Sequence, residues 1–390
     1  MLLLVINIFV LFVTVFVAGV LVGVLVFPTT RKKVSKFIEN IGAGFGAKNP
    51  DLMLQRPVDK PILTPRANLW EDEAVLNPAA IILNDQVHLI YRAIGRDGVS
   101  RLGYASSADG FAFDRQYRPA FAVHNPGGHG AVRHYSPTMY PSGGSWGGVE
   151  DPRMVVIDDN VYVTFNLFDN WVLRVGVISM GKKDFLAKNF HKWRGPTILS
   201  SSNREKNWML FPEKINGKFA ILHGIIDNDS NRVRIEYTDS LDTLAEHSFE
   251  TVDPQQVPDT HIAWHKHVRS AGPPPLKTPD GWLVLYHAHD DEGDRYKLGA
   301  MLLDLDDPTK ILHRAPHPIL EPDVSYENNG KPGVIYACGA VVKDGVLFVY
   351  YGGADKITAV ATTPLKEFLY ALTHDETPAL QKENTVVSPD

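Results

Sequence analysis

The chain has 390 residues, 44% of them hydrophobic and 10% aromatic, which is ample material for a core and excludes the disordered and low-complexity classes. Its formal charge is -6, and its basic residues are dispersed rather than gathered on one face, so no nucleic-acid partner is expected. The single cysteine, Cys338, cannot form an internal disulfide.

The first element in chain order is an uninterrupted apolar run at residues 2–27 without a charged side chain. It is longer than the roughly 20 residues that a spanning helix needs. No basic residue precedes it, whereas Arg31, Lys32, Lys33 and Lys36 follow, a pattern of a retained anchor rather than a cleaved signal peptide. The positive-inside rule then places the C-terminal region on the cytoplasmic side of a single-pass membrane protein. Residues 1–28 are expected to form a transmembrane anchor. Residues 29–50, with Gly42-Ala43-Gly44-Phe45-Gly46, read as a juxtamembrane tether.

From residue 51 the texture changes to short β-rich runs bounded by Gly, Asn, Asp and Pro. Aligning those runs with one another gives five copies of one unit, an apolar strand, a polar gap and a second apolar strand. The first strands begin at Val87, Val161, Lys218, Trp282 and Val346, and their partners at Leu102, Val175, Val233, Leu298 and Thr358. Two strands cannot bury both faces of a sheet, so such units pack side by side. The expected fold is all-β: a five-bladed β-propeller over residues 51–372, with an N-terminal transmembrane helix and a tail at 373–390.

Chemistry belongs where the inner strands bring polar groups together. Glu150-Asp151-Pro152-Arg153 follows a Gly-rich stretch and sets two carboxyls beside a guanidinium, one to be neutralised and one to be tuned. The proline restricts Asp151 to an extended backbone. On its own this tetrad also reads as a surface turn. Asn77-Pro78 and Tyr91-Arg92 bring an amide and a guanidinium to the first repeat, and Asp355 follows the aromatic and glycine run at the end of the last. Such groups suit sugar hydroxyls. Lys206, Arg269 and His287 add basic groups in the third and fourth repeats, able to hold an anion such as phosphate. The pairs His265/His267 and His287/His289 lack a completing Cys or HExxH-like pattern, so no metal site is expected.

Taken in order, Trp70-Glu71, Asn77-Pro78-Ala79-Ala80, Tyr91-Arg92-Ala93, Glu150-Asp151-Pro152-Arg153, Leu210-Phe211-Pro212-Glu213-Lys214, Gly272-Pro273-Pro274-Pro275 and Tyr350-Tyr351-Gly352-Gly353-Ala354-Asp355 resemble glycoside hydrolase family 130, the β-mannoside phosphorylases and related β-mannosidases. The resemblance covers nearly everything from residue 61 to residue 365. It implies inverting chemistry at a terminal β-mannosyl residue, with Asp151 as general acid passing its proton through the sugar 3-hydroxyl. It also implies that Asn77, Arg92, Arg153 and Asp355 hold the sugar, and that Lys206, His287, Arg269 and Tyr336 hold inorganic phosphate, the co-substrate, with no other cofactor. The chain departs from the pattern at Asn166-Leu167-Phe168-Asp169-Asn170-Trp171, where an Arg is common, at Leu222-His223-Gly224 in place of Leu-His-Arg, and in an insertion at residues 124–145.

Four readings stand at this level. Phosphorolysis of a β-mannoside to mannose 1-phosphate leads. Hydrolysis with a carboxylate base such as Glu213, transfer from an activated mannosyl donor at the membrane face, and glycan binding without catalysis follow.

Overall fold

The computed structural model describes residues 49–123, 134–140, 142–169, 172–200, 205–223, 235–241, 250–252, 267–289 and 295–374, all within the unit Asn49–Asp390. Its strands form four sheets. The first contains β1 (Ala74–Leu83), β2 (Gln86–Ile94), β3 (Val99–Ser107), β4 (Asp114–Arg115), β5 (Gly147–Ile157), β6 (Asn160–Phe168), β7 (Leu173–Gly181) and β8 (Arg194–Ile198). The second contains β9 (Met209–Leu210), β10 (Phe219–Leu222), β11 (Ile235–Thr238) and β12 (Glu250–Val252). The third contains β13 (His267–Ala271), β14 (Leu276–Thr278), β15 (Gly281–His289), β16 (Lys297–Leu303) and β17 (Ile311–Arg314). The fourth contains β18 (Ile335–Lys343), β19 (Val346–Gly353) and β20 (Ile357–Pro364).

All five strand pairs read from the sequence are antiparallel neighbours: β2 with β3, β6 with β7, β10 with β11, β15 with β16 and β19 with β20. Turn chemistry fixes the register of two further hairpins, β1 with β2 and β18 with β19. Asn84 and Asp85 between β1 and β2, and Asp344 and Gly345 between β18 and β19, all take positive φ, the conformation that a two-residue hairpin of matching twist requires. Apolar clusters lie between consecutive repeats. Met154 and Val163 of the second pack with Ile90 and Leu102 of the first, and Phe348 and Val360 of the fifth pack with Leu89 and Ala105 of the first.

The five repeats are distributed over four sheets, because Val99 and Ser100 of β3 pair in parallel with Gly147 and Gly148 of β5 and join the first two repeats. A Cβ at Gly148, whose φ is 115°, would stand 2.2 Å from the Ser100 carbonyl oxygen, so only glycine permits this approach. Strand periodicity counts hairpins and carries no information about where their edges meet. The expected transmembrane helix is corrected. The α-helices among the described residues are α1 (Lys182–Leu186) and α2 (Leu365–His374), and no helix there is long and apolar enough to cross a membrane. The ten residues of α2 rise about 15 Å, half of a bilayer core of about 30 Å. Instead α2 turns Phe368, Leu369 and Leu372, at helical spacing, into the core beside Leu347 and Leu302. The expected span at residues 2–27, the tether up to residue 48 and the tail from residue 375 lie outside the described residues. The described fold is mostly β.

What positions the site is a set of β-bulges. Asn77 and Pro78 of β1 together face the single residue Tyr91 of β2, and Asp151 and Pro152 of β5 face Phe165 of β6. Proline has no N–H for a ladder and is tolerated where the ladder is interrupted. A bulge also re-aims the side chain beside it. Similar interruptions occur at Val268/Ser270 in β13 and Ala337/Gly339 in β18.

Candidate active site

Asn77 and Asp151 occupy the same place in successive repeats, and both have φ of 49°. The extended backbone expected for Asp151 is therefore corrected to the left-handed region. The local preference of a residue before proline yields here to the bulge and to the hydrogen bonds of the side chain. Asp151 Oδ1 accepts from Asn77 Nδ2 at 2.7 Å and from Arg92 Nη1 at 3.2 Å. Among the described residues its Oδ2 has only a long 3.5 Å contact from Asn166 Nδ2. One carboxyl oxygen is anchored and the other is available to a ligand.

Arg92 is 2% exposed at its side chain, and its donors face protein acceptors. Nε donates to Ser100 Oγ at 2.9 Å, and Nη2 lies 2.7–2.8 Å from the Ser142 carbonyl, Ser145 Oγ and Glu150 Oε1. Ser142 and Ser145 also donate to Glu150, so the end of the insertion at residues 124–145 closes over this pair. Arg92, rather than Arg153, is the guanidinium that partners both carboxyls. Arg153 Nε donates to the Gly272 carbonyl at 2.8 Å and Nη1 to the Asp151 carbonyl at 3.0 Å, and Nη2 lies 3.4 Å from the Ala271 carbonyl. It makes no ion pair among the described residues. It fixes the backbone of Asp151 and keeps its positive charge beside that carboxyl.

These surroundings separate the carboxyls electrostatically. Burial pushes the Asp151 carboxyl upward, but Arg92, the Asn77 hydrogen bond, Arg153 and Lys206 outweigh it and hold the group below the ordinary aspartate range. Burial raises Glu150 in spite of Arg92. Burial also raises Asp355 against Lys331 and Arg92. Lys331 Nζ stands 3.8 Å from Asp355 Oδ2. Adjacent carboxyls driven apart in this way are a signature of acid–base chemistry.

The structure brings Asn77, Arg92, Asp151 and Arg153 into direct contact and sets Asp355 and Lys206 near enough for their charges to act on Asp151. Lys206 is exposed and has no ion pair among the described residues. Tyr336 Oη lies 3.5 Å from Arg153 Nη2. His287 is buried behind Tyr336, its ring stacked on the phenol with centroids 4.1 Å apart. It is neutral: burial and Arg153 lower its pKa to about 3. The side chains of Arg269, His267 and His289, and the whole of His265, lie outside the described residues. Among the described residues no group of His, Cys, Asp and Glu could hold a metal ion.

Asn166 and Asn207 escaped the sequence reading. Asn166 Nδ2 donates to Asn207 Oδ1 at 3.0 Å, and the Asn207 N–H donates back to Asn166 Oδ1 at 2.7 Å, steadying the amide that faces Asp151. The signal for Asn166 lies in the repeat: Glu150 pairs with Asn166 as Leu76 pairs with Arg92, so Asn166 is the second repeat's counterpart of Arg92. Glu71 has a different part from the ligand-facing groups. Fully buried, it accepts from Tyr91 Oη at 2.8 Å and pairs with Arg66 and Arg115, bracing the scaffold.

Gly352 controls the fit of Asn77. A Cβ there would stand 2.1 Å from Asn77 Oδ1 and 2.9 Å from its backbone nitrogen. Gly352→Ala is expected to push Asn77 off Asp151 and to lower kcat/KM about a hundredfold, the scale of a displacement near 1 Å. Steady-state kinetics beside a melting curve check this: the activity loss should far exceed the loss of folded protein.

The cluster anchors one oxygen of a buried carboxyl, leaves the other open among the described residues and keeps cations beside it. Residues 64–374 match the family model described as beta-1,4-mannooligosaccharide phosphorylase, and the chain belongs to glycoside hydrolase family 130. It is 38% identical to a 1,2-beta-oligomannan phosphorylase of Thermoanaerobacter sp. (strain X514), over 82% of this chain and 100% of that protein. It is 34% identical to a beta-1,2-mannobiose phosphorylase of the same strain, over 79% of this chain and 96% of that protein. The solved beta-1,2-mannobiose phosphorylase of Listeria innocua, in complex with beta-1,2-mannobiose, shares the fold with a TM-score of 0.63 at 24% identity, over 82% of this chain and 99% of that one.

Proposed function

We propose that this enzyme is an inverting phosphorylase that cleaves a terminal β-1,2-mannosyl linkage with inorganic phosphate and releases α-mannose 1-phosphate. The observation that carries the reading is the pairing of Asp151, open at Oδ2, with two cations free of ion pairs among the described residues, Lys206 and Arg153. Phosphate needs cations at the face opposite the leaving group, whereas water needs a carboxylate base there. Glu213, the base considered for hydrolysis, is 46% exposed and paired with Lys277 at 2.6 Å. The 1,2 linkage is supported by the two relatives named above, both of which carry it in their names.

The bonds balance without a further reactant. An oxygen of hydrogen phosphate attacks the anomeric carbon as the C–O bond to the leaving sugar breaks. Asp151 delivers a proton to that oxygen, by way of the sugar 3-hydroxyl in the family's manner. The acidic proton of the phosphate monoester replaces it. Asn77 and Asp355 hold hydroxyls of the mannosyl ring, and Lys206, Arg153 and Tyr336 receive the anion. In the free enzyme Asp151 is held as a carboxylate; it takes up from solvent, as substrate and phosphate bind, the proton that it then delivers through the 3-hydroxyl.

The test incubates the full chain with β-1,2-mannobiose, with and without phosphate, and follows mannose 1-phosphate by 31P NMR. Turnover is expected to depend on phosphate and to yield the α anomer. Equal turnover to free mannose without phosphate would transfer the enzyme to the hydrolases, and inertness towards β-1,2 with activity on β-1,4-mannobiose would correct the linkage.

A further inference from the structure

Behind Tyr336 runs a chain of hydrogen bonds whose direction is set by one main-chain amide. The Ala337 N–H donates to His287 Nε2 at 2.8 Å. An amide can only donate, so Nε2 carries no proton and the neutral ring has its hydrogen on Nδ1. Nδ1 faces Ser270, whose Oγ lies 3.3 Å away, and its main-chain carbonyl is a second acceptor. A nitrogen that bears hydrogen cannot receive the Ser270 proton. That proton therefore turns to the remaining neighbour, Tyr336 Oη, at 2.9 Å. Arg153 Nη2 approaches the same oxygen at 3.5 Å. Tyr336 Oη thus faces two donors and keeps its own hydrogen without a protein acceptor among the described residues.

The geometry points to Ser270 and His287 as positioning residues that fix the polarity of this relay, so that Tyr336 always presents its O–H to the anionic co-substrate. Ser270 and His287 are fully buried and act through Tyr336. The ring stack, with planes 7° apart, prevents the imidazole from turning and exchanging its nitrogens. An unpolarised hydroxyl pair would donate in either direction and lose part of its hold on an anion; this pair cannot. The inference rests on the phosphorolytic reading above and assigns His287 a role other than that of a phosphate-binding cation.

Gln at position 287 tests the assignment, because its amide oxygen can accept from Ala337 while its NH2 donates to Ser270. His287→Gln is expected to keep KM for phosphate within about threefold, whereas Ser270→Ala should raise it about two- to tenfold and Tyr336→Phe about tenfold to a hundredfold, with KM for the mannoside little changed. Should Gln fail as badly as Leu at position 287 while both proteins melt like the parent, the relay is refuted and a cationic histidine is restored.

The unmodified enzyme supplies a second readout. Sulfate, which does not titrate between pH 5.5 and 8, serves as the probe, competing with phosphate. Among the described residues the charged and titratable groups facing His287 are Arg153 and Asp151 from β5 and Tyr336 from β18. The relay predicts a sulfate inhibition constant that is flat over this window. Tightening of about tenfold per pH unit below pH 6.5 would reveal a titrating imidazole and overturn the inference. If turnover proves independent of phosphate in every protein, it is the phosphorolytic reading that fails, so the two outcomes are distinct.

Discussion

Asp151→Asn is expected to lower kcat for phosphorolysis by about 10²–10⁴ while leaving mannoside affinity within a few fold. The substitution keeps the shape of the side chain and removes only its ability to carry a proton. Asn77 Nδ2 and Arg92 Nη1 both donate to Oδ1, and an amide oxygen in that place accepts both. The new NH2 would take the position of Oδ2, where the sole contact among the described residues is the 3.5 Å approach of Asn166, so little is displaced. A β-mannoside whose leaving group departs without protonation should recover much of the lost rate. Retained turnover of β-1,2-mannobiose by this variant would remove Asp151 from the chemistry altogether.

The largest stability effect is expected at Arg92. Arg92→Met should cost about 3–5 kcal/mol, because it leaves a buried carboxylate without its counter-charge. Glu150, 3% exposed at its side chain, pairs with Arg92 at 2.8 Å and would keep only the Ser142 and Ser145 hydroxyls. Burial raises its pKa even with Arg92 present and raises it further without that charge, so the variant should lose stability as pH rises above the ordinary glutamate range. Adding Glu150→Gln to Arg92→Met should restore a good part of the loss, since the orphaned charge goes with it. Urea denaturation of the four proteins of this cycle measures the coupling. An Arg92→Met protein within about 1 kcal/mol of the parent would mean that the pair contributes nothing beyond its cost of desolvation.

Much of this was legible in the chain because proline marks the two bulges that carry the site, Asn77-Pro78 and Asp151-Pro152, and the five hairpins follow from apolar runs separated by turn residues; the interruptions at Arg269 and Cys338 carry no such mark. What could not be read depends on partners distant in sequence. The local rule for a residue before proline predicts an extended Asp151; hydrogen bonds from Asn77, 74 residues away, and from Arg92 accompany a different backbone. Charge is equally opaque. His287 counts as a base in the sequence, but burial and the guanidinium of Arg153 keep it neutral, and an amide 50 residues on donates to its Nε2. The union of the first two repeats hangs on Gly148, whose significance appears only when Ser100 is seen beside it. Ser142 and Ser145 looked like part of an insertion, yet their hydroxyls complete the shell around Glu150.

The extra residue in β1 and in β5 has an evolutionary consequence. Side chains alternate between the two faces of a strand, so each added residue reverses the parity of everything beyond it. Losing a single codon at either site would restore simple alternation and swing the acid, or the amide that grips it, to the wrong side in one step, with no graded intermediate. Lineages of this enzyme should therefore vary freely in loop length and accept substitutions along these strands, while single-residue deletions at positions 77–78 and 151–152 are purged.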